Sequence, residues 1–300
     1  MKIIFFATPD FAIPSLRILH ESKHEIIAVV TAPDKPRGRG RSLSVTPIKQ
    51  FALDNNIPVL TPEKLKDENF EKELKKLNAD LFVIVAFRIL PFNIFTIPPK
   101  GSFNLHGSLL PKYRGAAPIQ WSIINGEAET GLTTFFLEEK VDTGNIILKE
   151  KVVINDSDNF GTLHDKMSLV GADLVKKTVE LIENETVQLT KQDNSLATPA
   201  PKITKEICEI NWQKSAFEIH NLIRGLSPFP GAFFKFNDKT YKVFSSKISN
   251  KTNLSPFQIE QTKNEIYIGT ETNTLKILEL QPEGRKRMKT EDFLRGYSLV

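Results

Sequence analysis

Asn104, His106 and Asp142 are polar residues whose types and positions could do chemistry in this chain. Asn104 and His106 lie two apart in the strand-like run Phe103-Asn104-Leu105-His106, so both project from one face, and the run breaks at Gly107. An amide supplies a neutral donor, and an imidazole supplies a proton or a positive charge near neutral pH. Together they suit a carbonyl oxygen that becomes an oxyanion. A base is still needed, and the cluster Lys140-Val141-Asp142-Thr143-Gly144, in a turn between two strand-like runs, can bring a carboxylate over the same crevice. The residues alone also fit plainer readings: a hydrogen-bonded structural pair, and an Asp-Thr-Gly turn formed for its backbone. Ser108 stands near His106 without a Gly-x-Ser-x-Gly elbow, which gives serine hydrolysis little support. His106 and Asp142 lack a third ligand, so no metal is expected.

These residues need a scaffold, and the first part of the chain has βαβ syntax. Ile3 to Phe6 reads as a strand, Phe11 to Glu21 as a helix, Ile26 to Thr31 as a strand, with a further helix beginning near Pro47. Leu81 to Ala86 is continuously apolar, as a parallel strand covered on both faces must be, and the amphipathic Phe70 to Leu77 segment supplies a covering helix. The expectation is an α/β fold with a doubly wound, mostly parallel sheet, whose ligands sit beyond the carboxyl ends of the strands. Strand one runs into Ala7-Thr8-Pro9-Asp10-Phe11, with no Gly-rich turn for a dinucleotide, and no Gly-Lys-Ser/Thr phosphate loop follows anywhere.

After a helix around Leu163 to Ile182, the polar, Pro-punctuated stretch from Asp193 to Pro201 reads as a linker. Beyond it a helix near Ser215 to Gly225 precedes short strands at Phe233 to Phe236, Tyr241 to Ser245, Glu265 to Gly269 and Thr274 to Leu280, spaced like a small β-barrel. The Phe-rich run Phe229 to Phe236 reads as barrel core, and His20, His24, His164 and His220 as surface or packing residues. No internal repeat or heptad run is present.

One cysteine, Cys208, excludes an intrachain disulfide and points to a reducing compartment. The apolar run Ile3 to Ala7 is too short for a signal-peptide core or a membrane span, and a cytoplasmic protein without a membrane partner is expected. The net charge of +4 would not by itself argue for nucleic acid. Its distribution is more informative, because Lys35, Arg37, Arg39 and Arg41 are gathered in one short segment and Arg285, Lys286, Arg287 and Lys289 in another.

The long pattern Asn104-x-His106-Gly107-Ser108-Leu109-Leu110-Pro111-x-Tyr113-Arg114-Gly115, followed by Asp142, resembles the folate-dependent formyltransferases. The likeness extends through Thr8-Pro9-Asp10-Phe11-Ala12, Ala116-Ala117-Pro118-Ile119-Gln120, Glu129-Thr130-Gly131 and Val141-Asp142-Thr143-Gly144 to Leu280-Gln281-Pro282-x-Gly284, nearly the whole chain. It implies a catalytic set of Asn104, His106 and Asp142, with 10-formyltetrahydrofolate as formyl donor. It implies folate contacts from Ser108, Leu109, Leu110 and Pro111, and from the loop after the fourth strand, here Ala86, Phe87, Ile89 and Leu90. Two departures bear on the shape of that pocket. Ala7 stands where the family usually has Gly, and Ala86-Phe87-Arg88-Ile89-Leu90-Pro91 is about one residue shorter than the commoner Ala-Tyr-Gly version.

Within the family the acceptor amine varies among glycinamide ribonucleotide, amino sugars on nucleotides and charged tRNA, and some members hydrolyse the folate instead. The basic loop Pro33 to Arg41 resembles the insertion by which the tRNA-directed members enter the acceptor stem, with Arg39 foremost and Arg37, Arg41 and Lys35 beside it. The acceptor is therefore expected to be initiator methionyl-tRNA, held also by Lys202 and Lys205. The barrel resembles the family's oligonucleotide-binding (OB)-like C-terminal domain. The expected organisation is a Rossmann-like catalytic domain at 1–190 without a dinucleotide motif, a linker at 191–206 and a tRNA-binding OB-like β-barrel domain at 207–300, acting as a monomer. A silent tRNA-binding module is the rival from another class, and the intact catalytic three speak against it.

Overall fold

The computed structural model describes residues 1–37, 42–251 and 253–300, and only the backbone at 35–37 and 42–44. The chain divides into two compact units, one made of Met1–Gly115, Gly131–Val152 and His164–Pro199, the other of Ala116–Thr130, Val153–Leu163 and Ala200–Val300.

The first unit is built on a seven-stranded sheet in which Lys2–Ala7 is an interior strand. Ile3, Ile4, Phe5, Phe6 and Ala7 are fully buried, because both sheet faces are covered and neither can carry polar side chains. Parallel neighbours extend from this strand in both directions. Glu25–Val30 and then Val59–Leu60 lie on one side, and Leu81–Val85 and then Ser102–His106 on the other. Glu129–Phe136 adds antiparallel to Ser102–His106, and Ile146–Val153 completes that edge. The reversal of direction beside the first strand is the topological switch point of a doubly wound sheet, where a crevice opens at the carboxyl ends. The expected doubly wound, mostly parallel fold is the one observed.

Local chemistry explains the boundaries. Pro14 is tolerated only in a first turn, so the expected Phe11 to Glu21 helix resolves into a 3₁₀ turn at Asp10–Ala12 and an α-helix at Ile13–His20. Thr46 caps Pro47–Asp54 by accepting from the Lys49 amide, and Asp67 caps Glu68–Leu77, which stops at the left-handed Asn78. The strand expected to reach Ala86 ends at Val85, since Ala86 takes φ +49°.

The second unit carries an antiparallel, curled, OB-like sheet in the order Ala232–Phe236, Lys239–Ser249, Thr274–Pro282, Ile266–Gly269, Ile259–Gln261, with Met288–Lys289 added to Thr274–Pro282. Trp212, Ile219, Phe233, Phe234, Val243 and Ile277 belong to its core. Against it packs the helix Ala216–Gly225, started by a capping box between Ser215 and Glu218. Phe229, expected in this core, is instead 73 % exposed. No helix among the described residues is long and apolar enough to cross a membrane.

Candidate active site

Asn104 and His106 stand at the carboxyl end of a strand hydrogen-bonded on both sides. Ile84 lies opposite Asn104 on one neighbour, and Thr133 opposite His106 on the other. Asp142 reaches the same place from the turn between Glu129–Phe136 and Ile146–Val153. Its φ of +56° is a left-handed conformation uncommon outside glycine. Two residues on, Gly144 is obligatory: a Cβ there would stand 1.7 Å from the Phe136 carbonyl oxygen.

The imidazole and the carboxylate meet. His106 Nδ1 lies 3.9 Å from Asp142 Oδ2, and that oxygen also accepts from the Gly115 N–H at 2.9 Å. His106 Nε2 is 2.8 Å from the Tyr113 carbonyl oxygen. A carbonyl only accepts, so Nε2 carries a hydrogen and Nδ1 is the nitrogen left to face Asp142. In the cationic ring both N–H groups point at oxygens.

Asn104 and Asp142 line one hollow of about 90 Å³, together with Phe87, Arg88, Ile89 and Leu90. The Arg88 guanidinium lies 5.2 Å over the Phe87 ring and donates to the carbonyls of Pro62 and Glu63. Its Nε is buried without a hydrogen-bond partner among the described residues. A larger depression of about 640 Å³, lined by Leu60, Pro62, Glu63, Lys64 and Asp67 among others, holds none of the three candidate catalytic residues. The chemistry therefore selects the smaller hollow.

Of the residues expected to contact folate, Phe87, Ile89 and Leu90 line the hollow, whereas Ala86 and the stretch Ser108 to Pro111 do not. Ser108 and Leu110 are fully buried. The Ser108 hydroxyl donates to the Lys112 carbonyl, the Thr133 hydroxyl bridges Ser108 and Leu110, and Leu110 packs on Phe135 and Ile146. Through Thr133, the residue paired with His106 across the sheet, that stretch is tied to the neighbouring strand. Arg39 and Arg41 lie outside the described residues. Lys35 and Arg37 fall on the backbone strand Lys35–Arg37, which pairs antiparallel with Ser42–Ser44. Lys202 and Lys205 are exposed in the second unit. Among the described residues no group of three or more His, Cys, Asp or Glu is placed to hold a metal.

Sequence reasoning passed over Gln192, which is 5 % exposed. It donates to the carbonyls of Asp142 and Gly144. A glutamine in a polar stretch carries no pattern that would single it out.

Residues 1–189 match the family described as formyl transferase, and residues 202–298 match the formyl transferase C-terminal domain. The chain belongs to the formyl transferase family. This formyl transferase is 43 % identical to the methionyl-tRNA formyltransferase of Bacteroides thetaiotaomicron, over 100 % of this chain and 96 % of the relative. It is 45 % identical to that of Thermodesulfovibrio yellowstonii, over 98 % and 95 %. Among solved structures, the N-formyltransferase from Helicobacter canadensis in complex with folinic acid and dTDP-3-aminofucose aligns with a TM-score of 0.71 at 25 % identity, over 96 % of this chain and 100 % of that one.

Proposed function

We propose that this formyl transferase moves the formyl group of 10-formyltetrahydrofolate to the α-amine of initiator methionyl-tRNA, in the cytoplasm and as a monomer. The observation that carries the reading is that Asn104 and Asp142 line one hollow while His106 Nδ1 stands 3.9 Å from the Asp142 carboxylate, in a chain 43 % and 45 % identical over nearly its full length to two methionyl-tRNA formyltransferases. The family matches at 1–189 and 202–298 support a catalytic domain at 1–190, a linker at 191–206 and a tRNA-binding domain at 207–300.

The hollow suits the donor's reacting end. Phe87, Ile89 and Leu90 supply apolar walls for a flat reduced pteridine, and Asn104 and Asp142 supply a polar edge. Typical small-molecule pockets hold roughly 300–1,000 Å³, so the remainder of the folate lies outside the hollow unless the loop at 86–90 opens.

An aminoacyl ester amine is no more basic than a peptide terminus, with a pKa of roughly 7.7 to 8.0, so much of it is already a neutral nucleophile. Attack on the formyl carbon moves the carbonyl electrons to oxygen. Asn104 donates to that oxyanion, with His106 Nδ1–H in support when the ring is cationic. Asp142 takes the amine proton, directly or through water. Collapse of the adduct breaks the bond from carbon to N10, and N10 leaves with a proton returned from the His106–Asp142 pair.

A second reading, an amino-sugar nucleotide as acceptor, is favoured by the likeness to the H. canadensis enzyme, but that stands at 25 % identity. Incubation with 10-formyltetrahydrofolate and either charged initiator tRNA or an amino-sugar nucleotide tests both. The methionine amine should become blocked within minutes. Blocking of the sugar amine alone would transfer the reading to the rival, and blocking of neither would end it.

A further inference from the structure

The turn that carries Asp142 is held by a side chain that the proposed chemistry does not use. Gln192 Nε2 donates to the carbonyl oxygens of Asp142 at 3.0 Å and Gly144 at 2.8 Å. Its Oε1 accepts from Arg114 Nη2 at 2.6 Å and Nε at 3.2 Å, and the same Nη2 donates to Asn194 Oδ1 at 2.8 Å. A guanidinium only donates, so it fixes which end of the amide faces the turn. Both N–H groups of the amide are thereby committed to the two carbonyls that flank Thr143. Arg114 also precedes Gly115, whose N–H holds the Asp142 carboxylate itself. One dipeptide thus grips the carboxylate directly and its backbone through Gln192.

We propose that Gln192, oriented by Arg114, is a positioning residue that keeps the Asp142 turn in its left-handed form and its carboxylate at His106. The left-handed region is sparsely populated by residues with a Cβ, and the two N–H groups that Gln192 gives to the carbonyls of Asp142 and Gly144 brace the turn that holds Asp142 there. This inference rests on the reading of Asp142 as the base. Displacing a catalytic group by about 1 Å costs on the order of a hundredfold in rate.

Gln192→Ala removes the amide. Gln192→Glu keeps the shape and the Arg114 partner but, when ionised, offers the carbonyls no donor, and it carries the test if the alanine variant fails to fold. Each should lower kcat roughly tenfold or more while KM for both substrates moves less than about threefold. Adding either change to Asp142→Asn should cost nothing further, because both act through one group, whereas a general structural role would add. Crystal structures of the variants should show φ at residue 142 leaving the left-handed region, or the contact to the Gly115 N–H opening. Wild-type turnover in Gln192→Glu, additive losses, or an unchanged turn would overturn the proposal. Full activity in Asp142→Asn would overturn the role of Asp142 itself, and the φ at residue 142 would still decide whether Gln192 holds the turn.

Discussion

The side-chain amide of Asn104 lines the hollow with no hydrogen-bond partner among the described residues, which leaves its N–H groups for an incoming oxyanion. Removing one preorganised donor of this kind typically costs about 2.7–4 kcal/mol of barrier, a factor of roughly a hundred or more in rate. Asn104→Ala should therefore fold normally and lose kcat on that scale, measured in single-turnover assays. A rate within threefold of wild type would remove Asn104 from the mechanism. Strand geometry made Asn104 and His106 readable as a pair on one face, but the residues alone also fitted plainer readings, and it was the resemblance to the folate-dependent formyltransferases that implied the set of Asn104, His106 and Asp142. Gln192 was not legible, since the residue it positions lies 50 positions away in sequence. Only the fold brings them together. The Tyr113 carbonyl that fixes the hydrogen on His106 Nε2 is a backbone atom, which no choice of residue type announces.

Elements decide whether these side chains arrive. The strands of the parallel sheet were readable from uninterrupted apolar runs, because only a strand covered on both faces tolerates them. The two-residue strand Val59–Leu60 and the short helix Phe92–Phe95 were not, being too brief to show a period. The polar, Pro-punctuated stretch after residue 190 has the composition of a linker. Its start is nevertheless ordered, with the Asp193 side chain accepting from Ser195 and Thr198 accepting from the backbone amides of Tyr113 and Arg114. The turn at Asp142 is the element most exposed to a single change, since a Cβ at residue 144 would overlap the Phe136 carbonyl oxygen. Gly144→Ala must push that strand end aside. It should cost about 2–4 kcal/mol of stability, visible as a lower denaturation midpoint, and activity should fall further than stability alone explains. An alanine variant that melts and turns over like wild type would mean that the turn is not built this way.

At the scale of the whole molecule, the presence of a curled β sheet after a doubly wound one was readable from the switch in strand spacing near residue 200. The interleaving of Ala116–Thr130 and Val153–Leu163 with the second unit was not, because it depends on packing partners far away in sequence. Global stability should follow two histidines. Burial, with the N-terminal ammonium nearby, holds His24 below the ordinary histidine range, while Glu183 pulls the other way. Burial and Arg224 do the same for His220 against Asp156. Both groups therefore bind protons less readily folded than unfolded, where the pKa is about 6.5. Their contribution is intact above about pH 6.5 and is lost as pH falls from there toward the folded values. Tm should be level from about pH 8 to 7 and decline between about 6.5 and 5, with a shallower decline in His220→Gln. A Tm that rises on acidification would refute this. Association with tRNA tests the molecule as a polyelectrolyte. A net charge of +4 is too small to hold a polyanion by itself, so we assign the affinity to local cations: Lys35, Arg37, Arg39, Arg41 and the exposed Lys202 and Lys205. Each neutralised phosphate releases counterions and adds about −0.7 to −0.9 to the slope of log affinity against log salt. Engagement of roughly four phosphates gives a slope of about −3 to −4. Arg39→Ala should make that slope shallower by about one while leaving formyl transfer at saturating tRNA nearly unchanged. A slope near zero in the parent protein would mean that its acceptor is not held by its phosphate backbone.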